Sequence, residues 1–220
     1  VCGRFARHSP PEKFAALFHA QGGPDLPASY NVKPTQRVLA ARNAAEGGRE
    51  LVTLKWGLLP FWAKTKKLAY NTINAKRETV ATSAAYRGPF KSRRILLAMD
   101  GWYEWQLLPD GKHKQPYFLH ANGPCGVAGI WDRWEGEGEI IESCALITGP
   151  ALPVIEHIHK RMPMIVSPEH YDAWLDPERT AAADLLPLLE QTVPVDAYPV
   201  ITAVNNPKSD GAELLERRLQ

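Results

Sequence analysis

Long apolar runs are missing from this chain of 220 residues, and so is any marked excess of cysteine or of one sign of charge. No stretch of about 18 apolar residues occurs, and no basic segment leads into one, so neither a membrane-spanning helix nor a secretory leader is expected. The three cysteines, Cys2, Cys125 and Cys144, are odd in number and far apart. They lack the even count of a disulfide framework and the short spacings of a zinc site, which points to a reducing, cytoplasmic setting with no metal and no cofactor. Twenty-six Lys and Arg against 24 Asp and Glu leave a net charge of +2. That is too little for a chain that wraps nucleic acid indiscriminately, so any anion site has to be local. Internal repeats and heptads are absent as well, and a monomer with a single domain over residues 1–220 is the expectation. The length is sufficient to bury a core without staples.

What is present is a strand-rich middle. The stretches ELVTLKWGL, RRILLAMDGWYEWQ, QPYFLHA, GVAGIWDRW and EIIESCALIT are short apolar or alternating runs broken by Gly, Pro and Asp. PDGK at 109–112 and EGEG at 135–138 suit hairpin turns, so the pairing is expected to be mainly antiparallel. Helix signals are short and lie mostly toward the ends. Ser9-Pro10-Pro11-Glu12 offers an N-cap, a proline at the first position and an acid behind it, ahead of Phe14, Leu17 and Phe18. Further starts are expected at Ser167-Pro168-Glu169 and at Asp176-Pro177, the latter interrupted by Pro187, with a weaker helix over residues 78–86. The fold class is therefore α+β: one β-rich domain, mainly antiparallel, with short peripheral helices.

Four stretches are chemically unusual. In VCGRF, removal of residue 1 would place the Cys2 thiol and an α-amine on adjacent carbons, a pair that closes a five-membered thiazolidine on an aldehyde. The amine, with an ordinary pKa of about 7.7–8, is partly neutral at physiological pH, and Arg4 lies beside the thiol in sequence. The alternative is a small buried residue near a frayed end. In NTINAKRETV, residues 71–80, amides and the charged Lys76, Arg77 and Glu78 mix where a helix is expected to begin, which would favour an anion; a capped helix with a solvated ion pair fits equally.

In DGWYEWQ, strand alternation puts Trp102, Glu104 and Gln106 on one face and Tyr103 and Trp105 on the other. A carboxyl among aromatic rings has a raised pKa and serves as a general acid or base, whereas on a wetted face it is merely a surface charge. In IEHIHKRMPMIV, His157 and His159 precede Lys160 and Arg161, placing imidazole beside a cation at a loop or strand end. Trp56, Phe61 and Trp62 alternate with Lys55, Lys64, Lys66 and Lys67, the ingredients of a groove that stacks unpaired bases and follows phosphates. Each tryptophan taken singly fits a core better than a platform, since aromatics are mainly packing residues.

Cys-Gly-Arg-Phe at the start, YNVKPTQ at 30–36, WGLLPFWAK at 56–64, NAKRET at 74–79, GWYEW at 101–105, HKRMP at 159–163 and VNNPKSDG at 204–211 occur in this order. Together they resemble the SRAP family, the SOS-response-associated peptidase proteins that shield abasic sites in single-stranded DNA. The resemblance implies that the initiator residue is removed and that Cys2 forms a thiazolidine with the ring-opened deoxyribose. It also implies that Asn74 orients the sugar or the terminus, that Glu104 is the acid/base, and that His159 assists sugar ring opening and reversal of the link. Arg4, Lys76, Arg77 and Arg161 would meet DNA, with phosphates held by Arg4 and Arg161, and Trp56, Phe61 or Trp62 would stack where pairing is broken.

Three departures stand out against the family pattern. Val1 replaces the usual Met, as a literally translated GTG start would give; Lys76 replaces the common Arg; and Gly149-Pro150 follows the strand where Thr and Asn are usual. Single-stranded DNA carrying abasic sites is the expected partner, with replication-fork proteins a further one and the nucleoid the location when bound. A thiol (auto)peptidase built on Cys2, and a non-covalent single-strand-binding module, are the competing functions.

Overall fold

Among the described residues, which are 2–67, 72–190 and 192–218 of a computed structural model, thirteen strands form two sheets. The smaller sheet runs β13 (Asp196–Pro199), β8 (Lys114–His120), β7 (Gly101–Leu107), β1 (Phe5–Arg7), β2 (Ser29–Val32). The larger contains β3 (Arg37–Asn43), β4 (Arg49–Trp56), β6 (Arg94–Met99), β9 (Cys125–Gly136) and β10 (Glu139–Pro150), with β5 (Asn74–Lys76), β11 (Arg161–Pro163) and β12 (Ile165–Val166) added at its margins. Because β9 also pairs with β10, the strands β4, β3, β6, β9 and β10 close into a ring. Closure removes the free edges that a five-stranded sheet would otherwise expose. Most pairs are antiparallel as expected, but β10 runs parallel to β4 and to β5.

Burial follows from this arrangement. All six residues of β6 are buried, because it sits between β3 and β9 in the ring with a helix against it, and its sequence RILLAM is correspondingly continuous rather than alternating. β7 does alternate: Trp102 joins the main core, whereas Tyr103 packs in a second cluster with Ala6, Phe118, Val200, Val204 and Leu214. The smaller sheet is thus covered on both faces, by the ring on one side and by the C-terminal segment on the other. At the corner where the chain leaves β6 for β7, a Cβ on Gly101 would lie 2.3 Å from the Phe118 ring and 2.6 Å from the Leu119 carbonyl, so no larger residue fits.

The expected hairpins are present. Glu137 and Gly138 have φ of 52° and 76°, the paired positive values that match the twist of β9 and β10. The helices differ in detail. α1 (Pro11–Phe18) forms, but Ser9 does not cap it; Pro10 holds that position, and the Ser9 hydroxyl donates to Asp100 Oδ1 at 2.6 Å. Residues 77–82 are turns and α2 begins only at Arg87 (Arg87–Ser92), since Thr79, Val80 and Thr82 are poor helix formers and Val80 is drawn into the core. Ser167-Pro168-Glu169 opens a 3-10 turn that leads into α3 (Tyr171–Leu175). Asp176-Pro177 starts no helix, because Asp176 Oδ1 accepts the Glu178 N–H in a local turn; α4 (Ala182–Leu185) follows and changes to a 3-10 turn at Pro187. No described helix is long and apolar enough to cross a membrane.

Candidate active site

Cys2 and the residues that follow it are not frayed. β1 lies in the interior of the smaller sheet, between β2 and β7, with Phe5 opposite both Val32 and Trp102. Beyond its far end the Asp100 carboxylate accepts the His8 and Ser9 N–H groups at 2.7 and 2.8 Å, together with the Ser9 hydroxyl. Before it, the Tyr103 N–H donates to the Arg4 carbonyl at 3.0 Å. Such long-range anchoring fixes Cys2 at the head of a central strand, fully buried, beside the side chain that follows Tyr103 on β7.

That side chain is Glu104, itself 4 % exposed. The Cys2 N–H donates to its Oε1 at 2.5 Å, while its Oε2 lies 4.0 Å from His159 Nε2. Burial raises the Glu104 pKa above the ordinary carboxylate value, partly offset by the Cys2 N–H and by His159. The Cys2 thiol is pushed well up by burial and by the Glu104 charge. The carboxyl therefore faces the nitrogen of Cys2, and the sulfur is held as a protonated thiol.

His159 comes from the segment just ahead of β11. Its Nδ1 accepts the Arg161 N–H at 3.0 Å, which leaves Nε2 as the protonated atom of the neutral ring, turned toward Glu104. The Arg161 carbonyl, 3.1 Å from the same Nδ1, offers an acceptor when the ring is doubly protonated. Asn74 begins β5, whose pairing with β10 (Leu146 opposite Asn74) brings it to the same place, and its Nδ2 donates to the Cys2 carbonyl at 3.3 Å. The four residues singled out from sequence, Cys2, Asn74, Glu104 and His159, thus converge from four separate parts of the chain.

The cations are placed more unequally. Arg4 Nη1 donates to Asn31 Oδ1 and to the Val204 carbonyl, at 3.1 and 3.0 Å. Lys76 is exposed on β5, whereas Arg77 donates to the Leu186 carbonyl at 3.2 Å and is half-buried. Arg161 grips Glu78 with both terminal nitrogens, at 3.0 and 2.9 Å, and also donates to the Thr148 carbonyl.

Trp56 corrects an expectation. It is fully buried edge-on to Phe5, with its indole N–H on the Ile73 carbonyl, so no base can stack on it. Phe61 and Trp62, 62 % and 55 % exposed, remain available. Their loop is fastened to the β9–β10 hairpin, as the Phe61 N–H donates to Asp132 and the Trp134 indole to the Ala63 carbonyl. The anion site expected at a helix start in NTINAKRETV is a strand followed by turns instead; Asn71 and Val1 lie outside the described residues.

Sequence reasoning assigned no role to Asn31 or Asp210, and gave Glu78 only a place in a charged cluster. Asp210 accepts the Tyr30 and Asn31 N–H groups, at 2.5 and 2.8 Å, and the Ser29 hydroxyl, and Asn31 in turn holds the 206–209 loop and Arg4. The one available signal was that the polar stretches YNVKPTQ and VNNPKSDG, far apart in the chain, both carry amides and a lysine outside any amphipathic pattern.

A mixed β fold thus seats the nitrogen of a buried cysteine on a buried carboxyl, with an imidazole behind that carboxyl. The sequence model for the family "SOS response associated peptidase (SRAP)" matches residues 1–207, and the chain belongs to that family. It is 36 % identical to the "Abasic site processing protein YoaM" of Bacillus subtilis (strain 168), over 98 % of each chain. It is likewise 36 % identical to "Abasic site processing protein YoqW" of the same organism, over 98 % of this chain and 99 % of that one. A crystal structure of a Bacteroides thetaiotaomicron protein superimposes with a TM-score of 0.87 at 25 % identity, covering 99 % of this chain and all of the other.

Proposed function

We propose that this protein processes abasic sites in single-stranded DNA by forming a thiazolidine between Cys2, freed of residue 1, and the ring-opened sugar. The observation that carries the reading is the 2.5 Å contact from the Cys2 nitrogen to Glu104, with His159 behind it. An abasic deoxyribose is mainly a closed hemiacetal, so a proton has to pass from O1 to the ring oxygen before an aldehyde exists. His159, with a protonated Nε2 and a replaceable partner on Nδ1, is equipped for that transfer.

The Cys2 amine then adds to the aldehyde carbon, and Glu104 takes the proton that the nitrogen sheds. The new alkoxide oxygen takes a proton from solvent, and return of the Glu104 proton to the resulting carbinolamine hydroxyl expels water and leaves an iminium carbon. The Cys2 sulfur adds to this carbon, its proton leaves to the carboxylate, and the ring closes with one water released in total. Asn74, on the Cys2 carbonyl, holds the cysteine backbone in place through these steps. Arg4, Lys76, Arg77 and Arg161 would hold phosphates around the lesion, and Phe61 and Trp62 would stack flanking bases.

A thiol peptidase acting on other chains is less well served. The carboxyl faces nitrogen, and burial holds the thiol protonated, whereas a peptidase needs a thiolate. Self-removal of residue 1 is compatible with the site, since the Cys2 nitrogen is the leaving group in that step. The test is incubation of processed protein with a single-stranded oligonucleotide carrying one abasic site, followed by denaturing electrophoresis. Wild type is expected to give a denaturation-resistant adduct and Cys2→Ala none; absence of the adduct with a verified free Cys2 terminus overturns the proposal.

A further inference from the structure

Three basic residues adjoin Thr148, one of them through its guanidinium. Lys76 lies in register opposite Thr148, the Arg77 N–H donates to that carbonyl at 2.8 Å, and Arg161 Nη2 donates to it at 2.8 Å. Glu78 is the acid that meets this group, through the two-pronged contact with Arg161. The planar fork of an arginine fits a carboxylate and a phosphate equally well, and one fork can serve only one of them at a time. Arg161 is less exposed than its partner, at 23 % against 48 % for the Glu78 side chain, so the acid is the member free to swing out. Arg161 is also two residues from His159 and holds that ring through its own backbone N–H.

From this arrangement we infer that Glu78 is an internal stand-in for a DNA phosphate, a specificity-determining residue that competes with the strand for the Arg161 fork. The inference rests on the proposal that the protein binds abasic single strands. An undamaged strand has to displace Glu78 to gain one phosphate contact, and its net gain is therefore small. A strand already joined to Cys2 is present at high effective concentration and displaces Glu78 readily. Glu78 thereby weakens the hold on intact DNA while leaving the hold on a captured lesion nearly unaffected. The ion pair is half-exposed and so weak enough to be exchanged, and the pairing keeps the Glu78 carboxyl below its usual pKa, hence charged at neutral pH.

The test is equilibrium binding of an undamaged thymine-rich single strand to wild type, Glu78→Gln, Arg161→Gln and the double variant across a salt series. Glu78→Gln is expected to tighten binding about two- to fivefold at about 0.1 M salt. Its log–log salt slope should steepen by about 0.7, one further phosphate contact on a single strand. In the Arg161→Gln background the same substitution should gain much less, because no fork is freed. Glu78→Ala serves as a second variant and should behave as Glu78→Gln does.

Weaker or unchanged binding by both Glu78 variants overturns the inference. An equal gain in both Arg161 backgrounds also overturns it, because the effect is then general charge removal. So does a wild type without salt-sensitive binding. Adduct formation on an abasic strand is read separately: its absence refutes the covalent reading, while the undamaged-strand titration still decides the role of Glu78.

Discussion

Replacing Glu104 by Gln separates two duties of one side chain. The glutamine oxygen can still accept the Cys2 N–H now made at 2.5 Å, so the first strand stays seated. It cannot take the proton that the amine sheds or return one to the departing hydroxyl. Loss of a positioned acid/base costs about 10²–10⁴ in rate, or about 3–5 kcal/mol of barrier at 1.36 kcal/mol per tenfold. Single-turnover adduct formation by correctly processed Glu104→Gln should be slower by that factor. The part of the acidic fall in the wild-type rate that is set by a carboxyl whose pKa lies above the ordinary value should be missing from its pH profile, leaving the fall that protonation of the amine causes.

Stability should move the other way in the chain that still carries residue 1. Glu104 is buried and its pKa is raised, so its contribution to stability is full below the unfolded value and is lost as pH rises through the folded one. Glutamine removes that loss, and thermal unfolding at neutral pH should shift up, by about 0.5–2 kcal/mol if it resembles other relieved functional sites. The advantage should disappear as the solution is acidified to the ordinary carboxylate range. Wild-type crosslinking rates from Glu104→Gln, or a variant less stable than wild type at neutral pH, would refute the reasoning.

Cys2→Ser keeps the amine and removes the sulfur; it should yield a labile link that borohydride traps, whereas Cys2→Ala differs from it little, and an untrappable Cys2→Ser would place the chemistry on sulfur instead of nitrogen. Trp62→Ala should weaken single-strand binding by about 1–3 kcal/mol per lost stack with melting nearly unchanged, as titration and thermal scans can check. Trp56→Ala, by contrast, should cost about 3–5 kcal/mol of stability in denaturant unfolding, because that ring is fully buried. Asp210→Ala leaves two backbone N–H groups of β2 without their acceptor and should lower stability by about 1 kcal/mol. It should also weaken abasic-strand binding, because Asn31 then holds Arg4 less firmly.

Strands were legible wherever apolar runs were bounded by turn residues, as in β6, β7, β9 and β10, because alternation and continuous burial leave direct traces in composition. Glu104 could be picked out for the same reason: its flanking aromatics announce a dry face. Helix boundaries were less legible. Ser9 has a cap's sequence, but the Asp100 carboxylate, 91 residues away, offers its hydroxyl a better partner. Trp56 could not be told from a stacking platform, since core and platform use the same side chain and only ring closure decides which it is. Ring closure itself, the parallel entry of β5 and the Glu78–Arg161 pair depend on contacts between distant segments, and short-range patterns carry no trace of them.

The central claim is that Cys2 joins the abasic sugar through both its nitrogen and its sulfur, and intact-mass measurement of the adduct tests it most directly. The account predicts a mass equal to processed protein plus oligonucleotide less one water, with the Cys2 thiol no longer open to alkylation in the denatured adduct. An adduct in which the thiol still alkylates, or no adduct from protein with a verified free Cys2 terminus, would contradict it.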